Sequence, residues 1–198
     1  MPLDVSRETR LALNRYVGLL LRWNRTVNLI SRTDERHIWE RHIADCLQLL
    51  PLLKSPLKKG IDLGSGAGFP GLILALASGV HFDLIEADHR KSAFLREAAR
   101  ITGAPAQVHA VRIEAAALEP ATLITARACA PLSRLLDMAA PLLAPGGQCL
   151  FLKGENAAAE LTHAEAKWQM QVERIPSQTH PTACILRISN PARVRPSS

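Results

Sequence analysis

Gly60-Ile61-Asp62-Leu63-Gly64-Ser65-Gly66-Ala67-Gly68-Phe69-Pro70-Gly71 decides the reading of this chain. A short apolar run ends on an acid, four glycines follow, and an unbroken apolar run occupies residues 72–77. This predicts strand, tight loop and helix. Glycines suit a sharp strand-to-helix turn because it uses backbone angles that a β-carbon disfavours, and they let a ligand approach the bare main chain. Pro70 suits the first turn of the helix, where its missing N–H costs nothing. The stretch therefore predicts a nucleotide-like cofactor bound to an α/β sheet.

Two cofactor classes compete for this loop. Gly66-x-Gly68-x-x-Gly71 satisfies the dinucleotide pattern, with Glu86 twenty residues after Gly66. The phase is poor, however: counted from the acid that ends the strand, the first glycine is Gly64, and Phe69 stands where the third should be. Asp-x-Gly-x-Gly-x-Gly, led by Asp62, is the better description, and it resembles motif I of the class I S-adenosylmethionine (AdoMet) methyltransferases. That resemblance implies a loop around the methionine portion and an acid, here Glu86, that holds the ribose hydroxyls.

Working outward, the chain alternates strand and helix from residue 60. Strands are expected near 60–63, 82–86, 106–110, 122–126 and 147–152, and helices near 70–78, 89–103, 131–143 and 156–169. Two final strands, 170–175 and 182–189, meet across a proline-containing turn. Alternation implies a mostly parallel sheet with helices on both faces, and ligands at the carboxyl ends of its strands. That rule gathers Asp62, Glu86, residues 111–114, Arg127 and Lys153 on one edge. Before residue 60, an amphipathic helix is expected over 6–23, with Leu13, Val17, Leu20 and Leu21 on its apolar stripe. A second helix is expected over 34–50, with Thr33 as its N-cap. One domain follows: a helical extension over 1–58, a Rossmann-like core over 59–189 and a loose tail over 190–198.

Composition bounds the rest. At 198 residues and 47% hydrophobic content, the chain can bury a full core. No apolar run is long enough to span a bilayer, residues 1–8 lack the apolar segment of a signal peptide, and the four cysteines show no Cys-x-x-Cys spacing. A cytoplasmic protein with reduced, buried thiols, no metal and no membrane is expected. The net charge of +6 is uneven. Residues 1–59 hold 11 Lys/Arg against 6 Asp/Glu, whereas residues 60–198 hold 13 against 12. The asymmetry points to a polyanion met from the N-terminal side, although a solvated helix face would have the same composition.

Further motifs narrow the family. Trp23-Asn24 followed by Asn28-Leu29, then Arg41-His42-Ile43-Ala44-Asp45-Cys46-Leu47, the Gly68-Phe69-Pro70-Gly71 ending, Glu86 followed by Arg90-Lys91 and Phe94-Leu95, Ala126-Arg127-Ala128 and Leu152-Lys153-Gly154 together resemble the RsmG (GidB) family. That family methylates N7 of a guanine in bacterial 16S ribosomal RNA. Cys46 and Ala126 stand where serine is usual, and Glu86 where aspartate is. The resemblance implies AdoMet as methyl donor and 16S rRNA or a small-subunit precursor as partner. It implies a cofactor set of Asp62, Gly64, Gly66, Gly68, Phe69, Glu86, Ile113, Glu114 and Arg127. Asn28, His42, Arg127 and Lys153 become candidates for the RNA side. A guanine N7 carries a lone pair and no proton, so no general base is expected. A methyltransferase on another nucleic acid or a small molecule, a nicotinamide-dependent oxidoreductase and a non-catalytic RNA-binding protein are the rival readings.

Overall fold

A computed structural model describes residues 5–194. The expectations for residues 1–4 and 195–198 lie outside the described residues. Seven strands form one sheet: β1 (Lys59–Leu63), β2 (His81–Ile85), β3 (Ala106–His109), β4 (Ala121–Arg127), β5 (Leu143–Lys153), β6 (Trp168–Pro176) and β7 (Cys184–Arg193), in the order β3-β2-β1-β4-β5-β7-β6. The first five are parallel, and β7 runs antiparallel to both β5 and β6. Strand order reverses at β1, between β2 and β4, which is where doubly wound sheets open a crevice for ligands.

The helices are α1 (Arg7–Asn24), α2 (Ala44–Leu47), α3 (Gly71–Ser78), α4 (His89–Thr102), α5 (Leu132–Ala139) and α6 (Ala157–Glu165). Alternating strand residues feed two apolar layers. Leu84, Leu123, Leu150 and Leu152 pack with α1, α3 and α4, while Ile61, Leu63, Ile124 and Phe151 pack with α5 and α6. The N-terminal extension is thus part of one core layer rather than an appendage.

The buried face of α1 is rotated from the expected stripe. Leu13, Tyr16, Leu19 and Leu20 are buried, while Val17 and Leu21 are half-buried. Tyr16 can enter the core because its hydroxyl donates to the Ala67 carbonyl at 2.5 Å, which satisfies the one polar atom that burial would strand.

The second helix is broken. A 3₁₀ segment, Arg32–His37, leads into a π-helical turn, Trp39–Ile43, and only Ala44–Leu47 is regular α-helix. Its cap is Ser31 rather than Thr33, with the Ser31 hydroxyl accepting from the Asp34 amide at 3.2 Å. The wider π turn accompanies the burial of both His42 and Ile43. At the other end, residues 190–193 are not loose: they extend β7 against β6, with Trp168 opposite Arg193. The helix expected to run to 143 is α-helical to Ala139 and continues as a 3₁₀ turn, Ala140–Leu142, into β5, and the one expected to run to 169 ends at Glu165, just before β6.

Candidate active site

The loop after β1 is shaped by main chain. Gly64, Gly66 and Gly68 all have positive φ, at 64°, 58° and 99°. At Gly64 a β-carbon would stand 2.6 Å from the Cys129 Sγ, so the residue cannot grow there. At Gly66 it would meet nothing nearer than a carbonyl oxygen at 3.8 Å, so bare backbone faces open space.

Glu86, just beyond β2, closes one side. Its Oε2 accepts from the Gly66 amide and its Oε1 from the Asp88 amide, both at 2.8 Å. Two amides use about half of a carboxylate's lone-pair positions, and each oxygen keeps acceptor capacity. The loop and the acid meant to serve with it are therefore already joined.

Asp62 has a different place from the one expected of a cofactor contact. It is fully buried, beneath the start of α3: a β-carbon on Gly71 would collide with its own. Thr125 donates to its Oδ1 at 2.6 Å, and its Oδ2 has no hydrogen-bond partner. Burial pushes its carboxyl up to about 6. Phe69 is likewise in the core, with Tyr16 packed edge-on against its ring.

The other half of the cleft is built from side chains. The His42 ring stacks on Phe69 at 4.9 Å, and the Arg127 guanidinium lies 4.6 Å from the same ring centre. Arg127 Nη2 is 2.7 Å from His42 Nδ1, and Nη1 reaches Asp45 Oδ2 and the Arg41 carbonyl, each at 3.3 Å. Arginine only donates, so His42 Nδ1 accepts and the ring's single proton sits on Nε2. That nitrogen lies 3.6 Å from Asp34 Oδ2 and makes no hydrogen bond. Burial, followed by the nearby Arg127 charge, lowers the His42 pKa to about 4, so the ring is neutral at pH 7.

Lys153, a candidate for the RNA side, stands at the end of β5. It is buried, and its Nζ donates to the Ala130 carbonyl at 2.8 Å and to Glu160 Oε2 at 2.7 Å. Glu160 Oε2 also accepts from the Leu132 amide at 2.7 Å, at the N-terminus of α5. A cavity of about 490 Å³ opens beside these groups, lined among others by Asp45, Arg127, Cys129, Lys153 and Glu160. It lies beyond the ends of β4 and β5, next to the glycine loop through the Cys129–Gly64 approach.

Not every expected residue joins this cleft. Asn28 is exposed, and no hydrogen bond among the described residues ties it to His42 or Arg127. The asparagine that organises this region is Asn24, whose Oδ1 accepts from the Leu29 and Ile30 amides and whose Nδ2 donates to Glu35. Ile113 is half-buried in the 3₁₀ turn after β3, and Glu114 beside it is exposed, 3.5 Å from Arg134. Sequence reasoning assigns no site role to Asp45, Glu160 or Tyr16, which the structure brings in. Asp45 had a signal, since it lies three residues after His42 on a helical stretch. Among the described residues, no cluster of three or more His, Cys, Asp or Glu side chains is placed to hold a metal, and no helix is long and apolar enough to cross a membrane.

Comparison with known proteins agrees with this architecture. Among solved structures, a ribosomal protein L11 methylase from Lactobacillus delbrueckii subsp. bulgaricus superposes with a TM-score of 0.59 at 16% identity, over 73% of this chain and 75% of that one. The N-methyltransferase NodS from Bradyrhizobium japonicum, crystallised with S-adenosyl-L-homocysteine, gives 0.58 at 18% identity, over 86% and 96%. These show the fold. Sequence relatives are much nearer. Ribosomal RNA small subunit methyltransferase G of Granulibacter bethesdensis is 55% identical, over 96% of this chain and 89% of its own length. That of Gluconobacter oxydans is also 55% identical, over 96% and 98%. The family model for rRNA small subunit methyltransferase G matches residues 10–184, which sets aside the nicotinamide alternative. This chain belongs to the rRNA small subunit methyltransferase G (GidB) family.

Proposed function

We propose that this chain transfers a methyl group from AdoMet to N7 of a guanine in 16S rRNA. The observation that carries this reading is a bare glycine loop, tied to Glu86, lying beside a separate cavity at the next strand ends whose lining includes Asp45, Arg127, Lys153 and Glu160. One compartment suits a nucleoside-containing donor and the other suits an acceptor base. AdoMet supplies, when bound, an electrophilic methyl group on a sulfonium sulfur.

The chain's own residues then divide the work. Glu86 accepts from the ribose hydroxyls with the lone pairs its two amide bonds leave free. Gly64, Gly66 and Gly68 give the methionine portion access to main chain. Asp62 supports the loop from beneath, through Thr125 and the start of α3. Ile113 and Glu114 flank the adenine. Arg127 keeps unused N–H donors after its contacts with His42, Asp45 and Arg41, enough to hold the cofactor carboxylate or an RNA phosphate. His42 moves no proton: Nδ1 is engaged, and the ring is neutral. It and Phe69 form a rigid wall. Catalysis is alignment of nucleophile and methyl donor, a contribution that can reach about 7–11 kcal/mol. Asn28 and the exposed Arg22, Arg25 and Arg32 meet RNA on the N-terminal side.

The test maps N7-methylguanine in 16S rRNA from cells with and without this protein. It is paired with calorimetric titration of the purified chain with AdoMet and NAD. Loss of one modified guanine, with binding of AdoMet alone, is the expected result. An unchanged methylation map would refute the reading.

A further inference from the structure

Lys153, buried, and Glu160, half-buried, form an ion pair at the wall of the acceptor cavity, and cofactor binding gives them no task. Both are held in place. Glu160 Oε2 accepts from the Leu132 amide and from Lys153, and Lys153 also donates to the Ala130 carbonyl. Each nevertheless has capacity left. The ammonium has three N–H donors and uses two, and Glu160 Oε1 accepts no hydrogen bond among the described residues. A cation with a spare donor beside an anion with a spare acceptor matches the edge of guanine, which presents O6 as acceptor and N1–H and N2–H₂ as donors. Adenine presents the reverse at the corresponding positions, a donor at N6 and an acceptor at N1. The cavity volume of about 490 Å³ is within the range of small-molecule sites.

We infer that the Lys153–Glu160 pair reads the O6/N1/N2 edge of the target guanine, and that Glu160 is the specificity-determining residue of this enzyme. The inference rests on the guanine-N7 reading above. The pair also suits the charge change of that reaction. Methylation makes the purine cationic, and a lone ammonium nearby would oppose it. Glu160 neutralises Lys153. Positive charge on the purine also makes N1–H a stronger donor, so its hydrogen bond to Glu160 tightens as the methyl group transfers. An interaction that strengthens toward the transition state raises the rate as well as selectivity.

The test uses the full chain and a 16S RNA substrate carrying guanine, inosine or 2-aminopurine at the target position, with single-turnover methyl transfer and RNA binding both measured. Inosine lacks the N2 amine, and 2-aminopurine lacks O6 and the N1 proton. The parent should favour guanine over each analogue by about tenfold or more, the worth of one hydrogen bond to a charged partner. Glu160→Gln should bring the guanine-to-inosine ratio close to one. The double variant Lys153→Met/Glu160→Gln, which buries no unpaired charge, should also lose the preference over 2-aminopurine. Because each result is a ratio within one protein, partial unfolding does not mimic it. Ratios unchanged in both variants would overturn the inference and leave the guanine-N7 reading standing. Absence of transfer to guanine by the parent would overturn both.

Discussion

Arg127 and Lys153 end adjacent strands of the sheet, yet their charges are balanced in different ways. Lys153 is satisfied within seven residues of chain, by Glu160 at 2.7 Å, and its side chain is only 7% exposed. Arg127 is 18% exposed and depends on the N-terminal extension, more than eighty residues away, for a neutral imidazole, a carbonyl and a carboxylate at 3.3 Å. The lysine is held in place at the cavity wall by a local partner. The arginine is loosely counterbalanced and retains donors for an incoming anion. Two cations at similar places in one fold are thus balanced differently, one by a partner close in sequence and one by partners from a distant segment.

Removing each counter-ion tests the difference most strongly. Glu160→Ala should cost about 3–5 kcal/mol in urea unfolding, because it leaves Lys153 buried and unpaired. Asp45→Ala should cost about 1–2 kcal/mol, since Arg127 keeps its other partners and the damage falls on the hydrogen bonds from Gln48 and Thr179. Equal costs would erase the distinction.

Acid probes the arginine's side of the comparison. Unfolded histidine takes a proton near 6.5, whereas His42 does so only near 4. Between those values the unfolded state binds more protons, so stability falls with falling pH by about 1.4 kcal/mol per unit. Asp62 acts oppositely. Its folded pKa of about 6 exceeds the ordinary 3.8, so it adds stability as pH falls through that window. The parent should therefore lose stability from about pH 6.5 to 6 and change little from 6 to 4. His42→Gln should instead gain stability below pH 6, diverging from the parent by about 1–3 kcal/mol. Parallel pH profiles would show that His42 does not titrate in this window.

Tyr16→Phe is a smaller change. It leaves the Ala67 carbonyl without its buried donor and should cost about 1–2 kcal/mol. AdoMet affinity, read by calorimetry, should fall as well, because the loop is less firmly held. Unchanged affinity would separate the extension from the loop. Smallest in stability is the joint neutralisation of Arg22, Arg25 and Arg32, all exposed. Unfolding should move by less than about 0.5 kcal/mol, while the log–log salt slope of RNA binding drops by about 0.7 for each phosphate that the variant no longer neutralises. A slope equal to the parent's would place the RNA elsewhere.

What could be read in advance follows the range of the interactions involved. Residues 60–71 announce strand, loop and helix through local glycine chemistry, and Glu86 follows from strand order. Asp62 could not be placed so finely, because the packing of Gly71 over it depends on how α3 returns to the sheet. The pairing of Arg127 with His42 and Asp45 spans more than eighty residues and has no local mark. Glu160 is different: an acid in the first turn of the helix after Lys153 was visible, and its reach back to the lysine and to the Leu132 amide needed only the turn between them. The broken second helix shows the opposite case, where the continuous helix expected over 34–50 yields to a π turn that carries His42 and Ile43 inward.

The Tyr16 hydroxyl on the Ala67 carbonyl has a thermodynamic consequence. One helix presents arginines outward and holds the glycine loop inward, so under the proposed function RNA docking and AdoMet occupancy would share a mechanical element. Whatever factor RNA applies to the affinity for AdoMet, AdoMet must apply to the affinity for RNA. A weakened Tyr16 contact would reduce both factors together, so order of addition could change rates but not the final ternary population.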